Sequence, residues 1–335
     1  MSSQTSFKAM LARQGEGREI DVNIETLTVD DLPQGNVLVK VLYSSLNFKD
    51  AAAMANRGIF RQLPIVPGID LAGIVEASGD ARYRPGDEVV LTGWLVGEQH
   101  WGGLSQYARV DADWLVRKPA ELSLRDCMAI GTAGLTAMLG VLALEEQGLR
   151  PGDKEVLVTG AAGGVGSTAV TLFARKGYRV AALTGRPETS AYLQELGAQR
   201  IVARDAFVTA RRPGRASMDA ETYSAALDVV GGTVLSSILP QMAYGGSVAV
   251  CGLAGGVDLD TTVFPFILRA IRMIGIDSVR APAARRAVAW QAIAGLLGTS
   301  DLNKISTEIE LDQVPATSQR LLAGQIRGRC VVRLW

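Results

Sequence analysis

The sequence predicts two domains: an α/β domain with a doubly wound parallel sheet, inserted in a β-rich, barrel-like domain. A chain of 335 residues is long enough to form two cores. Residues 1–125 show closely spaced strand patterns separated by Pro and Gly turns, whereas strand and helix patterns alternate over residues 126–300. Such alternation is typical of a parallel sheet covered by helices. Strand-like patterning returns in residues 301–335, which we therefore expect to rejoin the β-rich domain.

The strands of the β-rich domain are predicted from period-2 hydrophobicity. Residues 36–43 alternate as a half-buried strand does, and residues 69–76 form another strand after Pro67-Gly68. The turn Arg84-Pro85-Gly86-Asp87 precedes a third strand at residues 88–91. Short strands at this spacing favour a compact, barrel-like domain.

The α/β domain opens with an uncharged run at residues 127–144. Its glycines and threonines argue against a membrane span, so we interpret it as a buried helix packed closely against a neighbour. The predicted strands are residues 155–158, 178–183, 200–203, 225–230, 247–251 and 273–277; the predicted helices are residues 165–176, 188–196 and 283–297. Ligands of such sheets bind at the carboxyl ends of the strands.

A glycine-rich turn joins the first of these strands to a helix. Ala161, Gly163 and Gly166 occupy the three positions of the dinucleotide-binding fingerprint, with alanine replacing the first glycine. Small residues let the backbone approach a pyrophosphate, and the helix start at Gly164-Val165 supplies free N–H groups. The sequence therefore predicts a dinucleotide site at this turn.

The residues about 20 positions further on indicate which dinucleotide binds. An NAD site normally carries Asp or Glu at the end of the second strand, but this chain has Thr184-Gly185-Arg186. Arg186 and the Thr184 hydroxyl suit a 2′-phosphate through a charge-assisted contact, so we predict NADPH rather than NADH. The alternative is that Arg186 is an ordinary solvated charge.

Candidate catalytic groups follow the predicted strand at residues 36–43. Asn47 is a candidate donor to a substrate carbonyl, Phe48 a candidate cover for a nicotinamide, and Asp50 a candidate to orient Asn47 or Lys49. The alternative is structural: Ser45 or Asn47 caps a helix, and Asp50 completes a capping box.

Other titratable side chains are weaker candidates. His100 is the sole histidine and a natural proton carrier, because its ordinary pKa lies near neutrality, although lone histidines are more often structural. Five arginines are candidates to meet an anionic substrate tail, with ordinary surface charge as the alternative: Arg57, Arg61, Arg280, Arg285 and Arg286.

Composition and charge exclude several functional classes. The 34 basic and 34 acidic residues give a formal net charge of zero, which argues against a nucleic-acid or membrane-surface partner. Three widely spaced cysteines and one histidine predict no metal site and reduced thiols, as in a cytoplasmic protein. The first eight residues lack the apolar core of a signal peptide.

Four motifs occur in order along the chain: Asn47-Phe48-Lys49-Asp50, Pro67-Gly68-Ile69-Asp70, Pro85-Gly86-Asp87 and Ala161-Ala162-Gly163-Gly164-Val165-Gly166. With them, the chain resembles the zinc-free branch of the medium-chain dehydrogenase/reductases across essentially its full length. Zinc-dependent members carry His-Glu where this chain has Ile69-Asp70. The resemblance implies a Rossmann cofactor domain inserted in a GroES-like domain, without zinc.

Four further motifs are similar to those of the acryloyl-CoA reductase group, whose members have also been classed as quinone oxidoreductases. They are His100-Trp101-Gly102-Gly103, Ile130-Gly131-Thr132-Ala133-Gly134, Cys251-Gly252-Leu253-Ala254-Gly255-Gly256 and Pro265-Phe266-Ile267-Leu268-Arg269. The resemblance implies NADPH-dependent reduction of acryloyl-CoA to propanoyl-CoA in the cytoplasm. It also implies a homodimer formed through the edge of the cofactor sheet, near residues 261–276.

The same resemblance implies a set of cofactor contacts. They come from Phe48, Gly163, Gly164, Val165, Gly166, Thr184, Gly185, Arg186, Arg204, Leu253, Ile267 and Ser278, with Arg329 as a basic residue near the cofactor. The stretch Arg211-Arg212-Pro213-Gly214-Arg215 matches no motif and is assigned no role.

The expected chemistry is conjugate reduction of an α,β-unsaturated thioester. Hydride reaches the β-carbon, Asn47 or a nearby backbone N–H stabilises the enolate, and water held by Asp50 or His100 supplies the proton. Two other functions stay open. One is an NADPH-dependent quinone or enone oxidoreductase, which needs no CoA-binding arginines, and the other is a non-catalytic NADPH-binding sensor.

Overall fold

The computed structural model describes residues 6–17, 19–152, 154–209 and 218–335, and the stretch Arg211-Arg212-Pro213-Gly214-Arg215 lies outside them. The strands of the described residues are β1 (Ser6–Gln14), β2 (Ile20–Thr28), β3 (Val37–Leu46), β4 (Asp70–Ser78), β5 (Glu88–Thr92), β6 (Tyr107–Val110), β7 (Leu115–Arg117), β8 (Glu155–Val158), β9 (Val180–Thr184), β10 (Arg200–Ala203), β11 (Tyr223–Asp228), β12 (Met242–Val250), β13 (Arg272–Gly275), β14 (Ser306–Glu310) and β15 (Arg329–Arg333). The α-helices are α1 (Phe48–Met54), α2 (Leu124–Glu146), α3 (Gly164–Arg175), α4 (Ser190–Glu195), α5 (Arg204–Thr209), α6 (Gly232–Ile238), α7 (Phe264–Arg269), α8 (Ala283–Ala294), α9 (Thr299–Ile305) and α10 (Val314–Leu322).

The chain divides into two compact units. Residues 1–132 and 279–335 form the first unit, and residues 133–278 form the second. The sequence predicts these boundaries after residues 125 and 300, which would put α8 in the other unit. The structure places α8 in the first unit because the buried Arg286 side chain donates to the carbonyls of Thr92, Val279 and Ala281, all in that unit.

Strand β3 lies at the centre of the larger sheet in the first unit. The strand order is β14-β15-β3-β4-β5-β7, and β6 also pairs with β3. The two halves of β3 therefore have different partners on one side, with residues 37–40 facing β6 and residues 43–46 facing β15. Val37, Val39 and Val41 are fully buried, so the alternation in the sequence marks the face that packs into the core.

The first unit also contains helices that the strand pattern does not predict, although the capping alternative at Asn47 implies a helix after it. Helix α1 directly follows β3, and α10 separates β14 from β15 in the tail that was predicted as strand-like. Three side chains of α10 are buried: Val314, Thr317 and Ser318. The short length of both helices explains why no long 3.6-residue pattern marks them.

The second unit contains a six-stranded parallel sheet in the order β10-β9-β8-β11-β12-β13. The order reverses at β8, the first strand of the second unit, which is the arrangement of a doubly wound Rossmann sheet. This confirms the predicted fold class. The central strand β8 is apolar on both faces, with Val156, Leu157 and Val158 fully buried, because helices cover both sides of such sheets.

Helix α2 runs from the first unit into the second and is broken at Gly131, which has φ 52° and ψ −160°. The sequence analysis predicted an unbroken helix here. The helix is long and apolar enough to cross a membrane, but 89% of its most apolar 18-residue window is buried inside the protein. It therefore has the environment of a core helix.

Candidate active site

The glycine turn after β8 brings the N-terminus of α3 close to the backbone of the strand end. The Gly163 N–H donates to the Gly160 carbonyl at 2.9 Å, and Gly163 then serves as the N-cap of α3. A Cβ on Gly166 would lie 2.3 Å from the Gly160 oxygen and 2.6 Å from the Ala161 Cα, so only glycine fits at position 166. Gly163, Gly164 and Val165 remain partly exposed. The turn thus presents free N–H groups and the positive end of the helix dipole, a suitable site for a pyrophosphate.

Two arginines lie beside the carboxyl end of β9. The Arg186 Nη2 donates to the Ala162 carbonyl of the glycine turn at 3.1 Å. A Cβ on Gly185 would lie 2.7 Å from the Arg204 Cζ, so the absence of a side chain leaves room for that guanidinium. The Thr184 hydroxyl accepts the Arg186 backbone N–H at 3.0 Å and fixes the bend. We call Thr184, Gly185, Arg186 and Arg204 the basic corner, and its two cations fit a phosphate group.

The structure places the other predicted cofactor residues of the second unit in different environments. Leu253 and Ile267 are exposed by 63% and 67%, as expected of side chains that contact a bound molecule. Ser278 is buried, and its hydroxyl accepts a hydrogen bond from the Thr136 hydroxyl at 2.7 Å. Asn47, Asp50 and Arg329, by contrast, lie together in the first unit, where Phe48 is 46% exposed.

A buried carboxylate that sequence reasoning missed lies at the carboxyl end of β11. Asp228 accepts the Thr159 hydroxyl at 2.6 Å and the Gly231 N–H at 2.8 Å, so it joins the loops that follow β8 and β11. Burial raises the pKa of this carboxyl, and its hydrogen bonds oppose the shift. An aspartate directly before Val229-Val230-Gly231-Gly232, at a strand end, was the available signal.

Asp50 holds the backbone at the start of α1. Asn47 is the N-cap, its N–H donates to Asp50 Oδ2 at 2.8 Å, and the Ile69 N–H donates to Asp50 Oδ1 at 2.9 Å. This is the capping arrangement that the sequence analysis gave as its structural alternative. Burial, with a smaller effect from the negative charge of Asp70, raises the pKa of Asp50 to about 7.

Four buried side chains, one of them Asn47, form a closed ring of hydrogen bonds. The Asn47 Nδ2 donates to Asp70 Oδ2 at 2.9 Å, and its Oδ1 accepts Arg329 Nη1 at 2.9 Å. Ser45 closes the ring, because its hydroxyl donates to Asp70 Oδ2 at 2.6 Å and accepts Arg329 Nη2 at 2.8 Å. Burial lowers the pKa of Arg329, and the charge of Asp70 opposes that shift. We call Ser45, Asn47, Asp70 and Arg329 the Asn47 ring.

The break in α2 lies against the Asn47 ring. A Cβ on Gly131 would be 2.5 Å from both Arg329 Nη2 and Asp70 Oδ2. The Thr132 N–H and hydroxyl donate to the Asp70 carboxylate, and Arg329 Nε donates to the Ala129 carbonyl at 3.2 Å. The ion pair therefore binds the helix backbone on both sides of the break.

His100 is held in a structural environment. One ring nitrogen, Nε2, lies 2.7 Å from the Arg109 carbonyl, and the ring packs edge-on against Trp114 at a centroid distance of 5.0 Å. Burial lowers the pKa of His100. Arg57 and Arg61 are exposed, and Arg286 is buried in the first unit, so the five candidate arginines do not share one environment.

The side chains present do not fit a zinc ion. Among the described residues, no group of three or more His, Cys, Asp or Glu side chains is close enough to hold a metal. A catalytic zinc requires three protein ligands, usually with a histidine or cysteine among them. Asp70 stands where zinc-dependent members carry the Glu of His-Glu, and its carboxylate is hydrogen-bonded to Ser45, Asn47 and Thr132.

Comparisons with known proteins agree with this geometry. The family model described as "Alcohol dehydrogenase GroES-like domain" matches residues 33–120, and the one described as "Zinc-binding dehydrogenase" matches residues 164–294. The chain belongs to the medium-chain dehydrogenase/reductase family, and the resemblance inferred from the motifs is thereby confirmed. Within that family it is similar, over 97–98% of its length, to proteins named as acrylyl-CoA reductases. Acrylyl-CoA reductase AcuI of Ruegeria pomeroyi is 50% identical over 97% of this chain and 98% of its own length.

Two solved structures extend the comparison. The yhdH oxidoreductase of Salmonella enterica, solved in complex with NADP, has a TM-score of 0.94 and 50% identity, covering 98% of this chain and 100% of its own. YhfP of Bacillus subtilis, whose name assigns it provisionally to the quinone oxidoreductases, was solved with NAD bound; it has a TM-score of 0.94 and 42% identity, with the same coverage.

Proposed function

We propose that this chain reduces acryloyl-CoA to propanoyl-CoA with NADPH. The observation that carries the proposal is the 50% identity with an acrylyl-CoA reductase over 97% of the chain. The Asn47 ring of the first unit supplies an amide suited to the substrate oxygen, and the basic corner of the second unit supplies cations suited to the cofactor phosphate. The YhfP relative favours a second candidate, an NADPH-dependent quinone or enone oxidoreductase.

The cofactor part of the proposal rests on the basic corner. Gly163 to Gly166 would hold the pyrophosphate, and Arg186 with Arg204 would hold the 2′-phosphate that distinguishes NADPH from NADH. Bound NADPH supplies the hydride. The NADP in the yhdH structure supports this assignment, whereas the NAD in the YhfP structure makes the preference worth measuring.

Charge reversal at the basic corner tests the cofactor preference. Arg186→Glu places a carboxylate beside the 2′-phosphate, so we expect kcat/KM for NADPH to fall at least 100-fold, about 2.7 kcal/mol. The value for NADH should change little. Arg179→Glu is the matched control, because Arg179 precedes β9 at its opposite end and the net charge changes equally. An Arg186→Glu enzyme that still prefers NADPH contradicts the assignment.

The substrate part assigns Asn47 to the thioester oxygen. Negative charge develops on that oxygen when hydride reaches the β-carbon, and an amide N–H stabilises it at low dielectric. Asp50 would act through the backbone, because both its oxygens accept main-chain N–H groups. Water would bring the proton to the α-carbon. We assign Phe48, whose side chain is 46% exposed, to cover the nicotinamide.

A substrate panel separates the candidate functions. NADPH oxidation is measured with acryloyl-CoA, longer enoyl-CoAs, free acrylate, a simple enone and a soluble quinone. The proposal expects acryloyl-CoA to have the highest kcat/KM, with propanoyl-CoA as the product. Preference for the quinone or free enone supports the second candidate. Tight NADPH binding without oxidation across the panel supports the non-catalytic sensor.

We also propose a cytoplasmic homodimer formed through the edge of the second unit's sheet. Strand β13 is one of the two edge strands, and the apolar side chains exposed within residues 261–276, apart from the cofactor candidate Ile267, are Val263, Phe264, Leu268 and Met273. An exposed apolar patch of this kind is typical of an interface. Light scattering should show a dimer that Leu268→Asp dissociates and Val288→Asp, at an exposed position of α8, does not. A monomeric wild type contradicts the proposal.

A further inference from the structure

The Asn47 ring fixes which way the Asn47 amide points. We propose that Asp70 and Arg329 are positioning residues that orient this amide for the reaction. The inference rests on the role of Asn47 given under Proposed function. The carboxylate can only accept hydrogen bonds and the guanidinium can only donate them. Of these two charged groups, the Asn47 NH₂ can therefore pair only with Asp70, and the Asn47 oxygen only with Arg329.

A flipped amide is strongly disfavoured in this ring. Rotation by 180° would point the Asn47 oxygen at the Asp70 carboxylate and the Asn47 NH₂ group at the Arg329 guanidinium. Acceptor would then face acceptor and donor would face donor, in place of the two 2.9 Å hydrogen bonds from Asn47 Nδ2 to Asp70 Oδ2 and from Arg329 Nη1 to Asn47 Oδ1. Asn47 is 6% exposed and Asp70 is fully buried, so water cannot compensate for the two lost contacts. A single amide orientation is therefore built into the fold.

The orientation leaves one amide hydrogen for a substrate. Asn47 Nδ2 carries two hydrogens, and Asp70 takes one of them at 2.9 Å. The remaining contacts of Nδ2, with the carbonyl and hydroxyl oxygens of Ser45, are both 3.4 Å, near the limit of a hydrogen bond. The second N–H is thus the weakly engaged one, and a developing oxyanion offers it a far better acceptor.

Asp70 and Arg329 are themselves held in place by contacts outside the ring. Thr132 donates twice to the Asp70 carboxylate, and Arg329 donates to the Ala129 carbonyl. Neither charge can follow a moved amide without losing these bonds. Replacing one partner leaves the other charge buried and less well paired, so some loss of stability is expected from any change. The experiment must therefore separate positioning from stability.

A double-mutant cycle makes that separation. If Asp70 acts on turnover through the amide, Asp70→Asn should lower kcat at least tenfold in the wild-type background and less than twofold in the Asn47→Ala background. KM for NADPH should stay within twofold in all variants. Equal losses of kcat in both backgrounds would overturn the proposal, since Asp70 would then act by another route.

Ser44→Ala is the matched control for stability. Ser44 is fully buried next to Ser45, but its hydroxyl donates to the Asp70 backbone carbonyl at 2.8 Å and does not belong to the ring. We expect a lower unfolding midpoint with kcat within twofold of wild type. A kcat loss as large as that of Asp70→Asn would show that any disturbance near Asp70 suffices, and would overturn the proposal.

A second variant covers a failure of Asp70→Asn to fold. Arg329→Lys keeps the positive charge, but an ammonium cannot hold Ser45 and Asn47 together as the guanidinium fork does. The same tenfold loss of kcat, absent in the Asn47→Ala background, is expected. The cycle is measured with whichever acceptor the wild type reduces. Preference for a quinone therefore overturns only the substrate assignment, whereas a wild type that reduces no acceptor overturns both.

Discussion

Replacing Gly131 by alanine should destabilise the first unit more than a substitution at any ordinary turn glycine. Alanine at φ 52°, ψ −160° enters a region that essentially only glycine occupies, at a cost of about 1–3 kcal/mol. Its Cβ would also lie 2.5 Å from Arg329 Nη2 and Asp70 Oδ2. Breaking a buried ion pair typically costs about 3–5 kcal/mol. We therefore expect a loss of about 4 kcal/mol or more in the free energy of unfolding.

The five tryptophans make the measurement specific to one unit, because positions 94, 101, 114, 290 and 335 all fall in the first unit. Urea unfolding followed by tryptophan fluorescence therefore reports that unit. Gly58→Ala is the control, since Gly58 has φ 69° with nothing within 4 Å of the methyl group that alanine would add, and it should lose only about 1 kcal/mol. If Gly131→Ala is no less stable than Gly58→Ala, the clash with the ion pair does not govern this position.

Three further predictions follow from buried groups. Gly166→Ala should raise the NADPH dissociation constant at least tenfold by calorimetric titration, because its Cβ would lie 2.3 Å from the Gly160 oxygen and push α3 away; unchanged affinity would refute the close-approach argument. Asp50 binds its proton more tightly in the folded state, with a pKa of about 7 against an ordinary value near 4. Stability should therefore fall from pH 4 to pH 7 relative to Asp50→Asn, and parallel unfolding midpoints would contradict this. Cys127 is fully buried with its pKa raised to about 12, so maleimide should label it at pH 8 only on unfolding, and rapid labelling of the native protein would count against its burial.

Features that depend on residues close together in the chain could be predicted from the sequence. The strand, glycine turn and helix around Gly163 lie within about 20 residues, and the residue types at Thr184 and Arg186 carry their own chemistry. The Asn47 and Asp50 capping box is also local, and it appeared as an alternative. In each of these cases the contacting residues are neighbours in the chain, so spacing alone relates them.

Features that depend on contacts between residues far apart in the chain could not be predicted from the sequence. The pairing of Asp70 with Arg329 joins residues that no periodicity relates, and it explains the left-handed Gly131 that breaks an otherwise apolar helix. Arg286 looked like a surface charge, yet it is buried against the Thr92 and Val279 carbonyls. Charged residues are almost never fully buried unless paired, so sequence reasoning places them at the surface by default.

The order of pairing along β3 has a consequence for synthesis on the ribosome. Arg329 and Asn47 are 282 positions apart, so at about 5–20 residues per second the partner of Asn47 emerges roughly 15 to 60 s after it. During that interval residues 43–46 have no β15 to pair with, and the Asp70 carboxylate has no guanidinium beside it. The second unit is one continuous segment, so its folding does not depend on a part of the chain that is made much later. The nascent first unit thus presents an unpaired strand edge to chaperones or to neighbouring chains. The Asn47 ring is completed only when Arg329 has been made.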